Sequence, residues 1–83
     1  MSKLFVTAVF DSAAETYFPP IFVPSKGVAI RSFMDAVSNP ETTFAKHPTS
    51  FSLFMIGTFD TQSASFELLA APQLLANAWE LKP

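Results

Sequence analysis

The chain has 83 residues, 49% of them apolar, with ten phenylalanines against five basic and seven acidic side chains, a net charge of −2 and no cysteine. That length accommodates one domain with a small core, and a core so small leaves apolar surface for a partner subunit; a homo-oligomer is expected, with a dimer favoured. No disulfide framework or thiolate metal site can form, and the acidic balance argues against strong general affinity for phosphate backbones, which scales with the cations placed on phosphates.

In chain order, Lys3 to Phe10 has the alternation of a strand, with Leu4, Val6, Ala8 and Phe10 on one face and Phe5, Thr7 and Val9 on the other. Both faces are apolar, so the strand should be covered on both sides. The run stops at Asp11 and lacks a small-residue cleavage pattern, unlike a signal peptide. Asp11 to Glu15 reads as a turn, and Thr16 to Val23 as a second strand. Pro19 and Pro20 confine that strand to an edge or an extended arm, because neither can donate to a ladder. They also hold Tyr17, Phe18 and Phe22 on a segment that loses little entropy when something docks on it.

Ser25 is placed to cap a helix running to Ser38, with Ala29, Ile30, Phe33, Met34 and Val37 on its inner face and Arg31, Ser32, Asp35 and Ser38 outside. Asn39-Pro40 ends it, and Glu41 to Pro48 is a loop or a single helical turn. Phe51 to Phe59 has bulky residues on both faces and reads as a central strand, with Gly57 marking a bulge or the close approach of another backbone. Its longest apolar stretch is interrupted by Ser52, Thr58 and Asp60, short of the roughly 20 residues needed to span a bilayer, and no membrane association is expected. Asp60 to Ser63 is a turn and Ser65 to Ala70 the second arm of a hairpin. Pro72 then suits the first turn of a helix reaching Leu81, with Leu74, Leu75, Ala78, Trp79 and Leu81 as its apolar stripe. The expected fold is a single α+β domain over residues 1–83, in the order β-β-α-β-β-α, with an antiparallel sheet whose helices pack on one face and leave the other for a partner.

Catalytic constellations are missing. His47 is the one histidine, no G-x-S-x-G frame surrounds any serine, and Asp11 and Glu15 are better read as turn residues than as an acid/base pair. Gly27 and Gly57 cannot make a phosphate-cradling loop, and the carboxylates lack metal-ligand spacing. No enzyme activity, cofactor or metal is expected. Binding remains. Lys26 lies at a helix start and Arg31 on the outer face one turn later, while Lys46 and His47 fall in the next loop. With Tyr17 and Phe22 these make a candidate nucleic-acid-binding set, aromatic rings for stacking bases and cations for following phosphates. Against this, phenylalanines at strand spacing are usually core and lone cations usually solvated. On the residues alone, a dimerising or partner-binding module ranks ahead.

The ordered set Tyr17-Phe18-Pro19-Pro20-Ile21-Phe22, Ala29-Ile30-Arg31-Ser32-Phe33, Asp35-Ala36-Val37, Asn39-Pro40, Lys46-His47-Pro48, Phe51 to Asp60 and Phe66-Glu67-Leu68, continuing from Pro72 to Leu81, resembles the small non-structural protein of gokushoviruses. These are single-stranded-DNA bacteriophages of the Microviridae. The resemblance implies a protein of the infected host's cytoplasm, absent from the virion, that binds DNA and assists the switch from double-stranded replication to single-stranded genome synthesis and packaging. It carries no defined set of functional residues. Two readings follow: a dimer that binds single-stranded DNA through Tyr17, Phe22, Lys26, Arg31, Lys46 and His47, or an interaction module that binds a replication, capsid or host protein through an apolar face. Convergence of the cations on one groove would favour DNA, and their dispersal a protein. The resemblance tips the balance to DNA.

Overall fold

Two long strands organise the molecule. In a computed structural model, which describes residues 3–81, β1 (Lys3–Asp11) lies antiparallel to β4 (Phe51–Asp60) in the middle of a five-stranded sheet. β2 (Thr16–Tyr17) and β3 (Ile21–Val23) pair one after the other with the free side of β1, and β5 (Ser65–Asn77) closes the other side against β4. Helix α1 (Lys26–Ser38), the single turn α2 (Thr43–Lys46), a 3-10 turn at Pro48–Ser50 and the short α3 (Ala78–Leu81) complete the chain. The architecture is the expected α+β domain with an antiparallel sheet.

The alternation in β1 sorts its residues as the sequence implies. Val9 on β1, Val23 on β3, and Phe51 and Leu53 on β4 form one buried cluster with Ala29, Phe33 and Val37 of α1 and Ala78 of α3. The helices therefore cover the sheet face that carries Phe5, Thr7 and Val9. Ser25 caps α1 as expected, its Oγ accepting from the Val28 N–H at 3.1 Å, and Asn39 ends it. Met34, expected on the inner face, is exposed instead, because the buried stripe follows Ala29, Phe33 and Val37 and Met34 falls one step outside it. Thr42 supplies a cap of its own, accepting from Ala45 N–H at 3.2 Å and donating to the Ala36 carbonyl at 2.6 Å. That bond ties the α2 turn to the end of α1.

The expected second strand, Thr16 to Val23, is split. Phe18 to Pro20 leave the ladder, because two consecutive prolines cannot donate, and the strand survives as β2 and β3 on the sheet edge. Two bonds keep the intervening segment on β1: Phe18 N–H donates to the Val9 carbonyl at 2.8 Å, and the buried Thr7 Oγ1 donates to the Ile21 carbonyl at 3.1 Å.

The C-terminal expectation is corrected more deeply. Ser65 to Ala70 is a strand, but it continues to Asn77, and only Ala78–Leu81 is helical where a helix from Pro72 was expected. The reason is tertiary. Gln73, Leu74, Ala76 and Asn77 pair with Met55, Phe54, Leu53 and Ser52, filling the side of β4 that β1 leaves open. Leucine and alanine favour helices only by tenths of a kcal/mol per residue, too little to resist a ladder. Pro72 is tolerated because it falls where the register slips: β5 spends Leu69 to Pro72 against Ile56 alone, so no ladder donor is lost there.

Candidate functional site

The proline-stiffened segment and α1 enclose an apolar cleft of about 430 Å³. Phe18, Pro19, Pro20 and Ile21 form one wall, Ala29, Ser32, Phe33 and Ala36 of α1 form the other, Thr7, Val9 and Leu53 of the sheet form the floor, and Phe44 of α2 lies at one end. Ser32 and Thr7 are its polar side chains, and the Thr7 hydroxyl is already committed to Ile21. Phe18, Phe44 and Phe51 form a ring cluster there, with centroids 5.5 Å apart for Phe18 and Phe44, 4.9 Å for Phe44 and Phe51, and 5.7 Å for Phe33 and Phe44. Phe18 is 38% exposed, so one ring of the cluster meets solvent. The volume falls within the range of small-ligand sites, and the lining offers flat apolar surface with few hydrogen-bonding groups.

The six residues expected to bind nucleic acid separate into two groups. Lys26 opens α1, Arg31 is exposed on the same helix about 140° around from it, and Lys46 and His47 end α2. All four lie on or at the ends of the helices that pack on the cleft side of the sheet, but none of them lines the cleft. Asp35 and Glu41 are interspersed among them, so the cations form no unbroken stripe. Tyr17 and Phe22 fall on the opposite side. Register places Tyr17 beside Phe10 and Phe22 beside Val6, on the face away from α1.

That helix-free face carries two aromatic triads. Phe10, Tyr17 and Phe54 lie within 4.8–6.4 Å of one another by ring centroid. Phe22, Phe59 and Phe66 lie within 4.9–6.1 Å. Every charged side chain of the strands, Lys3, Asp11, Asp60 and Glu67, falls on the other face by register, and Lys3 pairs with Glu67 at 3.7 Å. Neither Phe18 nor Phe44 belongs to the expected set. Phe44 was legible in principle, since Thr42 two residues before it is a helix cap that converts an apparent loop into an ordered turn.

Among the described residues, no group of three His, Asp or Glu side chains that could hold a metal ion comes together, and no helix is long and apolar enough to cross a membrane. What the geometry defines is a small α+β domain with an apolar cleft on one side and an aromatic sheet face without strand charges on the other. The family model described as "Phage ORF5 protein" matches residues 4–81, and the chain belongs to that phage family. No curated protein and no solved structure matches it significantly.

Proposed function

We propose that this phage protein is a non-catalytic, non-structural protein that binds single-stranded DNA weakly on its helix-bearing side. An unstacked base enters the cleft against Phe18 and Phe44, while Lys26, Arg31, Lys46 and His47 meet the backbone. The observation that carries this reading is placement: α1 and Phe44 of α2 line the cleft, Lys26 and Arg31 belong to α1, Lys46 and His47 end α2, and the strand residues on the opposite sheet face carry no charge. Base stacking on aromatic rings is sequence-tolerant and contributes about 1–3 kcal/mol per base, so a few cations suffice for modest affinity. The likeness to the gokushovirus protein supports a role in the passage from genome replication to single-stranded genome synthesis and packaging, in the host cytoplasm.

Fluorescence anisotropy of a labelled oligonucleotide, titrated at several salt concentrations, tests this. Three cations on phosphates give a slope of about −2 in log affinity against log salt for a single strand. Duplex of the same length should bind more weakly, because its bases cannot leave the stack. No binding at low salt would remove the reading. The acidic residues between the cations would then favour the second reading, in which an apolar side chain of a phage replication or capsid protein occupies the same cleft.

A further inference from the structure

The helix-free face asks for a partner of its own. Tyr17 (43%), Phe22 (42%), Phe66 (56%), Leu68 (68%) and Leu74 (49%) are all substantially exposed on it. At roughly 200 Å² of surface per large side chain, their exposed fractions amount to about 500 Å². The outer edges of the half-buried Leu4, Phe10, Phe54 and Phe59 extend the same patch. This is of the order of the roughly 800 Å² per partner of a standard specific interface, and lies toward the upper end of the apolar patches that monomers expose, which are often functional.

We infer that a second copy of this chain covers the face, packing sheet on sheet about a two-fold axis with the helices outside. The choice of a copy over a foreign protein rests on charge and on the exposed apolar area. An isologous contact sets a patch against itself, so any ionised group near the axis would meet its like; here register sends every strand charge to the opposite face. The triads lie four residues apart along β1, at Phe10 and Val6, or about 13 Å at 3.3 Å per residue. Two such faces can pack about 10 Å apart, as in a sandwich. Tyr17 and Phe22 thereby become interface residues, and the dimer presents two helix-bearing sides outward.

Sedimentation equilibrium of the full chain without DNA measures this independently of the DNA reading. A dimer is expected, dissociating at least ten-fold more readily in Tyr17→Lys and in Leu68→Lys, with far-UV circular dichroism unchanged. The two positions lie on opposite edges of the sheet, on β2 and β5, and both are exposed, so neither substitution buries a charge in the monomer. Dissociation by Leu68→Lys alone would point to pairing of β5 edges and overturn the face-to-face arrangement. A wild-type monomer at all concentrations up to hundreds of micromolar would overturn it outright.

Discussion

Gly57 on β4 faces Leu68 on β5 so closely that a Cβ at position 57 would stand 2.9 Å from the Leu68 Cα and also collide with the Glu67 carbonyl oxygen. Both neighbours are backbone, which cannot swing aside. The glycine lies beside the place where β5 loops out Leu69 to Pro72 against one β4 residue. Gly57→Ala should therefore destabilise the fold by about 1–3 kcal/mol, the usual cost of overpacking. Urea unfolding at a fixed protein concentration checks it; an unchanged midpoint would mean the hairpin can open there.

Both hairpin turns are built alike. Asp11 Oδ1 accepts from Ala13 and Ala14 N–H at 3.0 and 3.3 Å, Asp60 Oδ1 accepts from Gln62 and Ser63 N–H at 2.8 and 3.3 Å, and each turn ends on a left-handed residue, Glu15 at φ 56° and Ala64 at φ 60°. A side chain at positive φ costs about 1 kcal/mol or more. Ala64→Gly should raise stability by up to about 1 kcal/mol, less the entropy that glycine adds to the unfolded chain. Asp60→Ala should lower it by a similar amount, and thermal unfolding of the pair distinguishes relief of strain from loss of the turn.

Thr7 is buried and holds the Ile21 carbonyl, so it is the tie between the central strand and the wall of the cleft. Thr7→Val keeps the shape and removes the donor, which should cost about 1 kcal/mol. Hydrogen exchange should quicken at Ile21 to Val23, whose backbone pairs with β1, and leave the β1–β4 ladder protected.

Phe18→Ala separates binding from folding. The ring is partly exposed and its loss removes part of one wall of the cleft. Single-strand affinity should fall by about 1–3 kcal/mol if a base stacks there. Affinity that follows stability alone would argue that Phe18 only packs.

The two strands β1 and β4, helix α1 with its Ser25 cap and the close approach at Gly57 were all legible, because each is announced locally: by alternation, by a capping hydroxyl, or by a lone glycine inside a strand. The course of Gln73 to Asn77 was not. Their residues favour a helix, and the open side of β4 that claims them is contributed from 18 to 25 residues earlier in the chain, as the pairs Met55–Gln73 and Ser52–Asn77 show. The candidate site was half legible. The segment Tyr17 to Pro48 puts Lys26, Arg31, Lys46 and His47 on or beside the helices, but Tyr17 and Phe22 both face away, because the break at Pro19 and Pro20 shifts the register on β1 by one residue and returns Phe22 to the face of Tyr17. Phe18, between them, turns to the cleft instead.

The most direct test is single-strand binding by the Arg31→Glu, Lys46→Glu double variant, followed by anisotropy at low salt. Both residues are exposed on the helix-bearing side, so the fold and the dimer should persist. Loss of measurable binding is the expected result, with sedimentation unchanged from wild type. Binding at wild-type strength would contradict the assignment of DNA to this side of the molecule.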